Sequence, residues 1–545
     1  MKKSMLVLAL LLGSSACGGV QQTAPATPAA KMTSEPVRCL LLASNDSEAN
    51  FDGAKEGAGF EGRIARIASE KQRLLAERPG GVLLVEGGDM LQGRYMERQD
   101  GNRPLAMQSA WQVYQAAGYD FAAIGNHEFD GGPKALRVAM QGLDRMRLLS
   151  ANLDAKGTAL DPSDPGHPQG LFAPSALANC GNLRVGLIGL TTPSTRTISQ
   201  MGDVRFLKAT TAQVTQIEAQ KLRAQGAQLV VVLSHLGLEN DVQLAADVTG
   251  LDAIVGGHSH SETPKVVQRG QTWITQSGSR FSHLGALDLA VDASGHFDPA
   301  HSHWQLRPIE QLTNKDAKVL AQVDELRKLV VQEAPIGQRK VAWDLRDARG
   351  DYSRRATRAF GQWAKAKIPS VVGAMLNVGG FRSDTLYPIG PVTNLEVKAI
   401  HPFDNRLVLI TLTGQQLLDT LEHSCVPGST GGGESLVLWG LTGACDYKSA
   451  PQQYRFVDGR PVEITRRGER LRGGSIGGAT IDPRAQYTIA TVDYLAKGGS
   501  GFLPLTQGTR KCLDGSEFVP PTPCRDGMMA DVMIEAVRTG MLDQD

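Results

Sequence analysis

No charge of either sign prevails in this sequence, and it has little cysteine. Across 545 residues, 57 Lys and Arg stand against 56 Asp and Glu, for a formal charge of +1. Such a balance offers no field for a polyanion, which argues against a nucleic acid polymer as partner. The seven cysteines include no Cys-x-x-Cys pair, so a thiolate zinc site is not expected. The apolar run from Met5 to Leu12 is too short to cross a bilayer. What is present is a chain 41% apolar and 21% charged, long enough for two to four domains with large cores.

The start, "MKKSMLVLALLLGSSACGG", has two lysines, an apolar run and then small residues, the layout of an export signal. Cys17 after "GSSA" resembles the lipidation box of bacterial lipoproteins, with Ser14 where that pattern prefers Leu. Residues 1–16 therefore read as a signal, and 17–36, low in apolar bulk and rich in Ala, Pro and Thr, as a flexible tether. The expected location is the periplasm or cell envelope, with membrane attachment only through a lipid on Cys17. The other six cysteines, an even count in an exported chain, favour disulfides. Nearness in the chain suggests Cys425 with Cys445 and Cys512 with Cys524.

From residue 37 to about 312, Val/Ile/Leu-rich runs such as "VRCLLLAS", "GVLLVEGG", "LRVGLIGL" and "AQLVVVLS" alternate with segments whose apolar residues recur at three and four, among them "EGRIARIASEKQRLLAE" and "TAQVTQIEAQKLRAQG". This alternation predicts α/β layers with many parallel strands. Residues 314–333 place Val319, Leu320, Val323, Leu326, Leu329 and Val330 on one stripe, a single helix within a 313–344 linker and hinge. A second α/β domain, 345–545, opens on the helical "RRATRAFGQWAKAK" and continues through strand-like "VVGAML" and "LVLITL".

Five of the predicted strands end in residues able to bind metal. "LLLASND" delivers Asp46, "LLVEGGD" Asp89, "AAIGNH" Asn126 and His127, "VVVLSH" His235, and "AIVGGHSH" His258 and His260. Singly, each is explained by a helix cap, a turn or a core histidine. Together, at strand ends that share one edge, they predict a metal site. The oxygen and imidazole donors suit Zn, Mn or Fe, with Mg or Ca as further candidates. They outnumber what one tetrahedral ion needs, so two divalent ions bridged by a carboxylate, and phosphate ester hydrolysis, are expected.

The ordered set "SND", "GGD", "GNHEFD", "SHLG" and "GHSH" resembles the calcineurin-like metallophosphoesterase domain. Downstream, "NVGGFR", "HPFDNRL" and "LAKGGSGF" resemble the C-terminal domain of bacterial 5'-nucleotidases and UDP-sugar hydrolases. The resemblance implies a four-layer-type sandwich catalytic domain joined by a helix to a second α/β substrate-binding domain. It makes Asp89 the bridging ligand, with Asp46 and His260 on one ion and Asn126, His235 and His258 on the other. His127 and Asp130 correspond to the catalytic pair. Asn377 and Arg382 match substrate contacts, Phe403, Asn405 and Tyr494 match the base-binding group, and Arg354 is matched by its distance before a helix.

Two departures stand out. The family's Asp-x-His reads Asp46-Ser47-Glu48 here, so Glu48 is a candidate ligand with a preference for harder ions. Ser500 replaces an acid that in many relatives holds the ribose hydroxyls. The expected activity is a monomer's hydrolysis of a small-molecule nucleotide: a 5'-monophosphate first, then UDP-sugars or 2',3'-cyclic nucleotides. The alternatives are a thiosulfohydrolase of the sulfur-oxidation type and a non-catalytic nucleotide-binding surface lipoprotein.

Overall fold

The strand Val37–Ser44 shows how the first half layers. Its successive side chains point to opposite faces: Cys39, Leu41 and Ala43 join Leu83, Val85, Leu187, Val231 and Val255 in one buried cluster. Leu40 and Leu42 instead meet Ile64, Ile67, Met107 and Trp111 of the helices Arg63–Glu77 and Arg103–Ala117. The second sheet divides likewise, sending Ile188, Val230, Val232 and Ile254 toward Val214, Leu222 and Leu244 of the helices Thr211–Ala224 and Leu238–Asp247. The order is helix, sheet, sheet, helix. Both faces of each sheet are covered, which is why these strands read as unbroken apolar runs.

The computed structural model describes residues 37–543, except 53–61, 97, 162–170, 331, 348–349, 383–385, 404, 427–434, 458–459 and 521–523. The expected signal, tether and Cys17 lie outside the described residues. All elements discussed belong to one unit, Val37–Asp545. Each central sheet has six strands. In the first, Val37–Ser44, Val82–Glu86 and Phe121–Ala123 run parallel; in the second, so do Leu229–His235 and Ala253–Gly256. The expected ligand edge therefore belongs to two stacked sheets.

Most predicted elements form within a residue or two of their expected ends. The helix Leu238–Asp247 was not expected, although Leu238, Val242 and Ala245 fall at helical spacing and pack on the core. The expected linker helix spans Ala317–Leu329, capped by Asp316, whose side chain accepts from the N–H groups of Lys318 and Val319. It is no free connector: Val319, Val323 and Leu326 enter the core of the first half, and Arg327 pairs with Asp52 at 2.5 Å. Leu329, placed on the apolar stripe by sequence, is 44% exposed.

In the second half, a five-stranded sheet includes Val371–Asn377, Leu407–Thr413 and Gln486–Val492. Its core draws on Trp343, Tyr352, Phe360, Met375, Ile410, Leu417 and Met533. His401 is buried there, its Nε2 accepting from the Tyr352 hydroxyl at 3.0 Å. Burial pushes its pKa down to about 3. Below the ordinary imidazole value of about 6.5 the unfolded chain binds a proton that the fold refuses, so stability falls as pH falls from 6.5 toward 3. Denaturant titrations of His401→Gln between pH 6.5 and 4.5 should show a shallower loss than the parent, the difference approaching about 1.4 kcal/mol per pH unit.

Cys425–Cys445 and Cys512–Cys524 are bonded, as nearness suggested. A third bridge, Cys39–Cys180, joins strands of the two facing sheets across 141 residues, beyond the reach of any argument from spacing. Cross-links that close long loops restrict the unfolded chain most. Replacing Cys39 and Cys180 by Ala should lower unfolding stability by about 2–5 kcal/mol, read as a lower denaturation midpoint than the parent's.

Candidate metal centre and adjoining pocket

Asp46, Asp89, Asn126, His235, His258 and His260 follow the carboxyl ends of five strands, three from one sheet and two from the other. Bringing short side chains from so many strands to one point bends the backbone hard. Asp46, Glu48, Asp89, His258 and His260 all have φ between 47° and 75°, a left-handed conformation costing about 1 kcal/mol or more for a residue with a Cβ. They are five of nine such non-glycine residues among those described. Glycine makes the approach feasible: a Cβ at Gly88 (φ 97°) would lie 2.6 Å from His235 Nδ1, and one at Gly125 would lie 2.2 Å from Asp89 Oδ1.

Asp89, His235 and His258 bring ligand atoms within 4.8 Å of one another. His235 donates from Nδ1 to the Gly87 carbonyl at 2.8 Å, which turns Nε2 toward Asp89 Oδ2 at 2.9 Å and Asn126 Oδ1 at 3.2 Å. A backbone acceptor that fixes an imidazole tautomer is a usual support for a ligand. His260 Nε2 lies 3.4 Å from Asp46 Oδ1 and 3.8 Å from Glu48 Oε1. Asn45 steadies Asp46 with a 2.7 Å hydrogen bond.

The electrostatics fit divalent cations. Burial pushes Asp89 and His235 toward their neutral forms, but their mutual attraction prevails, holding His235 up at about 10 and Asp89 well below the carboxylate range. Burial and the His235 charge push His258 down to about 4, leaving an imidazole lone pair free to ligate. Buried carboxylates neutralised by imidazolium protons form a set whose protons a metal would displace. Glu48 Oε1 is buried without a hydrogen-bond partner, and a cation would satisfy it.

The expected His127–Asp130 pair meets across a 3-10 turn, His127–Phe129, with Nδ1 donating to Asp130 Oδ2 at 2.7 Å. Ser199 holds the other Asp130 oxygen at 2.8 Å. Burial lowers the His127 pKa, but Asp130 and Asp89 outweigh it and lift the value to about 9. The ring's Nε2 lies 3.8 Å from Asp89 Oδ2.

Several functional neighbours were missed by sequence reasoning. Glu128 lies inside "GNHEFD" yet drew no role. It is buried, and it accepts from the N–H groups of Asp89, Met90, Leu91 and Gly125 at 2.7–3.2 Å. It thereby clamps two ligand loops together. Gln92 lies against the His127 ring, and Arg280 binds Glu48 from 232 residues away. Only Glu128 had a signal, its place between the two residues of the expected catalytic pair, His127 and Asp130.

The second half contributes Phe403, whose ring stacks on His127 with centroids 6.0 Å apart and planes at 26°. The Arg382 guanidinium in turn sits over the Phe403 ring, 5.3 Å from its centroid. Leu407 pairs with Val492, and Arg406 and Asp493 exchange backbone and side-chain hydrogen bonds. Asn405 and Tyr494, the next residues outward, thus leave one edge of the sheet, where Asn377 ends the adjacent strand. Tyr494 shares a 2.9 Å hydrogen bond with Ser500. Arg354 is placed differently: it is exposed at the start of the helix Asp351–Lys367 and pairs with Asp351 at 3.8 Å.

The family model for the 5'-nucleotidase C-terminal domain matches residues 342–507. The 5'-nucleotidase precursor of Thermus thermophilus superposes with a TM-score of 0.74 at 26% identity, covering 93% of this chain and 97% of that one. The chain is similar to 5'-nucleotidases along nearly its whole length. Among curated relatives, the trifunctional nucleotide phosphoesterase YfkN of Bacillus subtilis (strain 168) is 27% identical over 86% of this chain, which spans only 32% of YfkN. The apyrase of Anopheles gambiae is 28% identical, with 92% of this chain and 88% of the apyrase covered.

The four-fold clamp at Glu128 carries a test. Glu128→Ala should leave the chain folded by circular dichroism but weaken divalent metal binding about 10–100-fold in calorimetric titrations, because the loops bearing Asp89 and Asn126 lose their shared anchor.

Proposed function

We propose that this chain is an exported phosphohydrolase that uses two divalent ions, drawn from Mn, Zn, Fe or Mg, to release phosphate from nucleotides. 5'-monophosphates are the first substrate class, with UDP-sugars and 2',3'-cyclic nucleotides next. The observation that carries this reading is the contact between chemistry and recognition: Phe403, the candidate base-stacking ring, lies on His127, itself beside the Asp89–His235–His258 group. The three disulfides support the export part of the reading, since such bonds persist in oxidising compartments.

In this proposal Asp46, His260 and Asp89 would hold one ion, and Asn126, His235 and His258, with Asp89, the other. Two divalent ions so held would supply charge stabilisation for the entering and leaving oxygens of an in-line displacement. His127, oriented by Asp130 and protonated near neutral pH, donates from Nε2 to the phosphoryl oxygens or to the leaving oxygen. Arg382 meets phosphate as a fixed cation with a planar donor fork. Phe403 and Tyr494 offer flat apolar faces to a base, while Asn377 and Asn405 supply polar contacts at its rim. Residues 37–312 then carry the chemistry and 345–545 the selection. With the helix Ala317–Leu329 fixed to the first half, a hinge belongs in the segment after it, between 330 and 344.

A turnover screen of AMP, UDP-glucose and 2',3'-cyclic AMP, with Mn, Zn and Mg added separately and products separated by chromatography, tests the reading, and hydrolysis of at least one is expected. His127→Asn should lower kcat by about 10²–10⁴-fold with bound metal unchanged. Phe403→Ala and Tyr494→Ala should raise KM for the nucleotide. Retained turnover of a thiosulfonate-type substrate with both rings removed would instead favour the thiosulfohydrolase, and no turnover with intact metal binding would favour a binding lipoprotein.

A further inference from the structure

The two ends of the metal centre differ chemically, and Arg280 is the residue that makes them differ. Its Nε donates to Glu48 Oε2 at 2.6 Å, and its backbone N–H donates to the Asp46 carbonyl at 2.8 Å. One residue thus grips both candidate carboxylate residues of the same loop. Its own carbonyl is held by Arg63 at 3.0 Å, and both Glu48 (φ 50°) and Arg280 (φ 51°) sit in the left-handed region. A strained pair held from several sides is placed for something beyond surface charge balance.

A purely structural ion pair would leave neither carboxylate oxygen wanting. Here Glu48 Oε1 is buried with no hydrogen-bond partner, at a cost of about 1–3 kcal/mol unless a cation takes it. It faces His260 Nε2 at 3.8 Å, and that nitrogen lies 3.4 Å from Asp46 Oδ1. The donors on this side are therefore carboxylate oxygens from Asp46, Glu48 and the bridging Asp89, with one imidazole. The other side presents His235, His258 and the Asn126 amide oxygen, and is richer in nitrogen. Oxygen donors suit Mn²⁺ and Mg²⁺, whereas imidazole suits Zn²⁺.

We propose that Arg280 fixes Glu48 as a one-oxygen ligand to the ion on the Asp46–His260 side and thereby biases that position toward an oxygen-preferring cation, making the centre chemically unsymmetrical. This inference rests on the two-ion reading given above. Arg280 is a positioning residue: it takes one Glu48 oxygen so that the other points inward.

The test uses the full chain, stripped of metal and titrated with Mn²⁺ and Zn²⁺ alone and in competition, with bound ions per chain read by mass spectrometry and Mn²⁺ also by electron paramagnetic resonance. The parent should bind two ions. Glu48→Gln should lose one of them at metal concentrations that saturate the parent. Glu48→His should restore the second ion but shift its Mn²⁺:Zn²⁺ preference toward Zn²⁺ by about tenfold or more. Arg280→Gln should weaken that position by about 10–100-fold, with Arg280→Lys recovering part of the loss. Two ions at the parent's Mn²⁺:Zn²⁺ ratio in Glu48→Gln, which is isosteric and tests the role even if Glu48→His does not fold, would overturn the proposal while leaving the two-ion centre standing. Failure of the parent itself to bind any ion would overturn both.

Discussion

The attraction between buried carboxylates and imidazoles at one shared sheet edge is the constraint to which the rest of the first half conforms. Asp46 and Asp89 are almost wholly inaccessible, and two like charges in such a place are costly unless cations offset them. The backbone accepts left-handed geometry at five candidate ligand positions, and Glu128 commits its acceptor capacity to holding the two loops in register. None of this strain is needed to build a four-layer sandwich, whose cores lie elsewhere along the strands. It is needed only to focus charge at a point, as a site preorganised for a cation requires.

The second half matters through what it adds to that point. Phe403 stacks on His127 and Arg382 lies over Phe403, so a guanidinium, an aromatic ring and a buried imidazole form one continuous column. Asn377, Asn405 and Tyr494 leave the same edge of the second-half sheet. The helix Ala317–Leu329 packs into the first core, whereas Pro335–Arg339 pairs with Gly390–Thr393 of the second half.

The fold was legible because period-two and period-four patterns report on local burial, and strands such as Leu229–His235 are apolar on both faces. Asp46, Asp89, Asn126, His235, His258 and His260 were legible because each follows such a strand directly, so topology alone brings them together. Glu128 was harder to read: a carboxylate that serves backbone N–H groups has no spacing signature. Leu238–Asp247 was missed although Leu238, Val242 and Ala245 carry the helical period, and Cys39–Cys180 because its partners meet only once two sheets have stacked.

Arg280 lies deepest among these. Its partner Glu48 is 232 residues away, and no motif links "SND" to the segment after the last parallel strand. Yet without Arg280, Glu48 would look like a lost ligand, an acid where a histidine belongs. With one oxygen tied at 2.6 Å and the other buried without a hydrogen bond, 3.8 Å from His260 Nε2, the carboxylate stands where a ligand would. A decayed site would have no reason to hold a strained, desolvated acceptor in that pose, because burying an unsatisfied oxygen destabilises the fold and random substitution would have relieved it. The substitution therefore argues for a retuned centre, in which the same architecture selects its cation through a residue brought in from a distant loop.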